Sequence, residues 1–130
     1  MTLPRHPATL LSVKYVVLIY NNRQTWEALP AADRDRVMAT HNRLIKELRE
    51  SGEMLRVDGL TDPMTTKTLR ARGGVPVVTD GPFSEAKEYL AGVWALDVES
   101  IDRAIEIATP IAEYDTIEIR GLMDLGGLEM

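Results

Sequence analysis

Two stretches of this chain, Tyr15 to Tyr20 and Val93 to Leu96, are apolar at consecutive positions instead of alternating ones. In an extended chain successive side chains point to opposite faces, so both faces of such a strand have to be covered. The first stretch, read from Val13, is β-branched and aromatic and is expected as a central strand. The second lies inside a longer strand expected over Leu90 to Val98. Between them, Asn21 to Leu29 reads as a loop, and Pro30 suits the first turn of a helix that Asp33 favours at its positive end. Val37, His41, Leu44, Ile45 and Leu48 then recur at helical spacing until Gly52 ends the helix.

Glu53 to Val57 is expected as the next strand, stopped by Asp58-Gly59 and Asp62-Pro63. Thr65 to Arg70 and Val75 to Thr79 flank Gly73-Gly74 and read as a hairpin. Ser100 suits the cap of a second helix with the apolar stripe Ile101, Ala104, Ile105 and Ala108, ended near Pro110. Thr116 to Arg120 alternates cleanly as a last strand. The domain is therefore bounded at residues 13–122, with an extension at 1–12 and a tail at 123–130. The order is an α+β, ferredoxin-like β-α-β-β-α-β fold with an inserted hairpin. Two helices cover one face of four strands, so the second apolar face calls for a symmetric homodimer packed sheet on sheet.

A chain of 130 residues with 45% hydrophobic content can bury one core. Fifteen basic residues against 20 acidic ones argue against a surface that tracks nucleic-acid phosphates. The absence of cysteine removes disulfides, thiolate metal sites and a Cys nucleophile, and favours a cytoplasmic setting. With only His6 and His41 besides, no metal centre and no cofactor are expected. The longest apolar run is far shorter than the roughly 20 residues of a membrane span, and residues 1–12 lack the apolar core of a cleaved signal.

The turn Asp80-Gly81-Pro82-Phe83, followed by Ser84-Glu85-Ala86-Lys87-Glu88, is the most distinctive run. Asp80 can bond the backbone two residues on, Gly81 accepts positive φ and Pro82 fixes its own, which makes a rigid turn. Ser84 and Lys87 have the spacing of serine acyl enzymes, but neither Ser-Asp-Asn nor Lys-Thr-Gly accompanies them. Together with Lys14-Tyr15, with Gly59-Leu60 ahead of Pro63, and with Glu118-Ile119-Arg120, this run resembles the YCII-related group in its DGPF-domain branch. The resemblance spans roughly residues 13–121 and implies the dimeric α+β barrel fold.

It also bears on chemistry. Arg36 to Leu48 resembles the helix on which YciI-like relatives carry a His thought to act with an Asp as an acid–base pair. His41 and Asp80 are the candidate catalytic residues on that basis, Asp80 chosen for the rigidity of its turn. Gly81, Pro82, Phe83 and Lys87 are the candidate ligand-binding residues, with Lys87 as an anion anchor. The expected activity is a cofactor-free small-molecule enzyme. The alternative is a non-catalytic ligand-binding or regulatory module, linked through the resemblance to sigma-factor-type transcription control.

Overall fold

The computed structural model describes residues 13–123, so the expected extension at 1–12 and all of the expected tail except Met123 lie outside the described residues. Strand β1 runs from Val13 to Asn22, β2 from Met54 to Gly59, β3 from Lys67 to Arg72, β4 from Val75 to Asp80, β5 from Glu88 to Val98 and β6 from Thr116 to Gly121. Helix α1 covers Arg23–Ala28, α2 Ala31–Ser51 and α3 Ile101–Ala108. Four strands form one antiparallel sheet in the order β2-β5-β1-β6, and β3 and β4 form a separate ribbon. This is the expected ferredoxin-like α+β order with its inserted hairpin. The sheet of a single chain is open, with β2 and β6 at its edges.

One face of the sheet carries the core. Val17 and Ile19 of β1, and Trp94, Leu96 and Val98 of β5, are buried against Leu44 and Leu48 of α2 and Ala104, Ile107 and Ala108 of α3. Alternation sends Val16 and Leu18, with their cross-strand neighbours Ala95 and Val93, to the other face. There they are only half-buried. Gly52 ends α2 in the left-handed region, its N–H bonded to the Arg49 carbonyl at 3.2 Å.

Four local expectations change. The segment expected as a loop holds the end of β1 and all of α1, because the Asn22 side chain accepts the Thr25 N–H at 3.2 Å and caps a short helix. Strand β2 continues through Asp58-Gly59, which pair with Val93 and Gly92 of β5. A Cβ on Gly92 would stand 3.2 Å from the Asp58 carbonyl oxygen, so the glycine admits that close approach. The hairpin strands sit slightly later than expected, around Gly73 at φ +57° and Gly74 at φ +81°, the positive pair that a two-residue turn demands.

The fourth change concerns α3. Ile101 and Ile105 are half-exposed, while Arg103 and Ile107 turn inwards. Arg103 can do so because Glu53 awaits it inside, at 2.8 Å from both Nε and Nη2. Ser100 caps α3 as expected, its hydroxyl accepting the Arg103 N–H at 3.2 Å. Ser100→Ala should therefore cost about 1 kcal/mol in chemical denaturation, whereas Ser100→Asp should cost almost nothing.

Candidate functional site

The expected ligand residues gather at one end of the sheet. Where β1 passes into α1, the 60–66 connection and the 82–90 segment close around a cleft of about 870 Å³. Its position follows from a β-bulge in β5: Ile19 pairs with Gly92 but Tyr20 pairs with Leu90, leaving Ala91 extra. The Ala91 carbonyl accepts the Leu60 N–H at 2.8 Å and so pins the start of the 60–66 wall. In that wall Asp62 caps a single 3-10 turn by accepting the Met64 N–H at 2.9 Å and binds Arg23 at 2.8 Å. The Met64 N–H, and then Arg23, hold the Asp62 carboxyl below the usual carboxylate range. Arg23 also lies over the Tyr89 ring, 5.8 Å from its centroid.

Pro82, Phe83 and Lys87 line this cleft, as do Leu60, Met64 and Tyr89. The lining is largely apolar with a few charged groups, the usual composition of a small-molecule site. Gly81 stands behind the lining as a backbone joint. Its φ is +88°, its N–H bonds to the Thr66 carbonyl at 2.8 Å, and its own carbonyl accepts the Thr68 hydroxyl at 2.8 Å. Asp80 also stands away from the lining. It ends β4, is ion-paired with Lys67 across the ribbon, and leaves 84% of its side chain exposed.

His41 lies elsewhere, on the sheet-facing stripe of α2, with its ring edge-on to Trp94 at 5.8 Å between centroids and 77° between planes. Its neighbouring carboxylate is Asp115, not Asp80: Nε2 is 3.3 Å from Oδ2. The two side chains are 17% and 7% exposed. On the helix side, His41 opens only into a pit of about 10 Å³. That is at most the room of one water molecule.

Asp115 also borders a second space. With Tyr20, Asn22, Thr25, Glu88, Tyr114 and others it lines a polar hollow of about 300 Å³. Asn22 and Glu88, opposite one another in the β1–β5 ladder, border both the hollow and the large cleft. Arg36 fixes the rim by donating to the Tyr114 hydroxyl at 2.6 Å and to Glu113 at 3.3 Å. Sequence points to Glu88 only as part of the run after Asp80, and to neither Asp115 nor Asn22 as a site residue. Asp115 is 74 positions from His41 with no motif around it, and only the capping pattern at Asn22 offered a local signal.

The YCII-related domain family matches residues 13–125. This chain belongs to the YCII-related family. An uncharacterized protein of Rhizobium meliloti (strain 1021) is 33% identical to it over 98 residues, which cover 75% of this chain and 79% of that relative. For a YCII-related chain the open four-stranded sheet, the two covering helices and the cleft beside Pro82 and Phe83 are thus set in a shared domain. Among the described residues no three His, Asp or Glu side chains come together in a metal-binding group. No described helix is long and apolar enough to cross a membrane.

Proposed function

We propose that this YCII-related protein is a cofactor-free enzyme that moves a proton on a small molecule. Asp115 is the group that meets the substrate, from the wall of the polar hollow, and His41 supports it from behind. One observation carries the reading: a mostly buried carboxylate lies 3.3 Å from an imidazole, on a residue that borders an open hollow. An ionised carboxylate in that position can accept a proton, and an adjacent imidazole can stabilise its charge or exchange the proton onward. The larger cleft, across Asn22 and Glu88, holds the rest of the molecule against Pro82, Phe83 and Lys87. Asp80 serves the turn instead, with Lys67 fixing its carboxylate at the foot of the ribbon.

The protein works as a homodimer in this reading, its Val16, Leu18, Val93 and Ala95 face packed on the same face of a second copy. That contact removes the apolar area left uncovered by α2 and α3.

A non-catalytic, ligand-sensing role is the second reading. It is favoured by the separation of the 870 Å³ cleft from the pair, since neither His41 nor Asp115 lines it. Incubation with a panel of small carbonyl compounds in D2O, followed by proton NMR, separates the two. Exchange of a carbon-bound proton by the wild type, lost in Asp115→Asn, supports the enzyme. Binding of a panel member without exchange, seen as thermal stabilisation, supports the sensor.

A further inference from the structure

The β3–β4 ribbon is a long feature with no role in that chemistry. Its two strands of six residues pair only with each other, and every residue from Lys67 to Asp80 except Thr68 is exposed. Leu69 and Val78, directly opposite on one face, leave 67% and 60% of their surface open, and Val75 leaves 62%. A lone two-stranded hairpin is marginal in water without a third strand or a packed surface. Yet the ribbon is rooted firmly, through the two hydrogen bonds at Gly81 and through Arg70 stacked over Phe83 at 4.1 Å.

We propose that this ribbon is an arm that clasps a second copy of the chain. The inference rests on the homodimer read above and adds to it a second contact surface. Charge selects the occupant: the arm holds Lys67, Arg70 and Arg72 against Asp80 alone, so the remainder of the chain has 12 basic residues and 19 acidic ones. A basic arm on an acidic body is complementary to another copy of that body. In a two-fold pair each protomer both offers and receives the arm. The apolar face of the arm, Leu69, Ala71, Pro76 and Val78, then leaves water on docking. Nucleic acid suits the arm less well. A duplex would also lie beside the acidic body, with its 19 acidic against 12 basic residues, which repels phosphate.

Because Phe83 lines the large cleft from the root of the arm, docking the arm also fixes one wall of the ligand site. Sedimentation equilibrium of the full chain tests the proposal with three proteins: wild type, the arm variant Leu69→Asp/Val78→Asp, and the sheet-face variant Leu18→Arg. The arm variant is expected to weaken dimerisation about 100-fold at unchanged circular dichroism. Amides 67–80 should be protected from hydrogen exchange in the wild-type dimer and unprotected in that variant. A wild-type dissociation constant in the arm variant, with amides that exchange freely in both, overturns the arm alone. A dimer lost in the arm variant but kept in Leu18→Arg overturns the sheet contact and keeps the arm. A wild type that stays monomeric overturns both. Should the arm variant unfold, replacing residues 68–79 by two glycines asks the same question. A shift of duplex DNA by the wild type, abolished in Lys67→Ala/Arg70→Ala/Arg72→Ala, would replace the second copy with nucleic acid.

Discussion

Asp115→Asn is expected to lower the rate of proton exchange by about 10²–10⁴-fold, the usual contribution of one positioned acid or base. The amide matches the carboxylate in shape but cannot take up a proton, so the hollow and the ligand's KM should stay nearly as they are. His41→Ala should lose less. Its side chain is behind Asp115, and its own pit admits no substrate. The two groups act as a unit in this account, so the double variant Asp115→Asn/His41→Ala should be no slower than Asp115→Asn alone. Losses that simply multiply would show that His41 acts independently of Asp115. Exchange rates measured on both single variants and the double variant decide it.

Arg103→Ala should lower the free energy of unfolding by about 3–5 kcal/mol, the cost of breaking a buried ion pair at one end. Glu53 and Arg103 are almost wholly buried, and the guanidinium binds both carboxylate oxygens at 2.8 Å. Glu53 further accepts the Ser51 hydroxyl at 2.9 Å, and its backbone carbonyl accepts the Asp97 N–H at 2.9 Å. The pair therefore joins the end of α2, the strand β5 and the helix α3. Glu53's hydrogen bonds hold the guanidinium charged despite its burial. Removing Arg103 strands a carboxylate in a low-dielectric site. Replacing both partners, as Glu53→Leu/Arg103→Met, should recover most of the loss, because apolar groups need no partner there. Guanidinium denaturation of the three proteins tests this, and a loss under about 1 kcal/mol for the single variant would place it with exposed pairs.

The same pair explains why only half of the expected α3 stripe is buried, Ala104 and Ala108 inside but Ile101 and Ile105 out. Read by hydropathy, Ile101 and Ile105 belong inside and Arg103 outside. The cost of burying an arginine is offset only by a carboxylate 50 positions away, which periodicity within one helix cannot reveal. The α2 stripe held because its buried residues, Val37, Leu44 and Leu48, need no distant partner. Strands β1 and β5 were legible for the same reason, their doubly apolar runs demanding the centre of a sheet. Local turn chemistry was legible too: Gly73-Gly74 adopt the positive φ values that the hairpin needs, and Ser100 makes its cap.

The candidate site divides along that line. Pro82, Phe83 and Lys87 belong to one distinctive run, and the cleft they line forms at its foot. Sequence points to Asp80, in the same run, as the carboxylate for His41, because a rigid turn is visible in sequence. Asp115 has no such mark. It reaches His41 only because the connection after α3 returns beside α2 before β6 enters the sheet.

By itself the sequence determined the α+β order, the central strands, the glycine turn and the family, since each depends on neighbours in the chain or on a contiguous motif. Tertiary structure alone decided that Glu53 takes Arg103 inside, that His41 meets Asp115, and that Asp80 is held at the foot of an exposed ribbon. Each of those pairings trades desolvation against a partner brought from a distant element, and that balance exists only once the chain has folded.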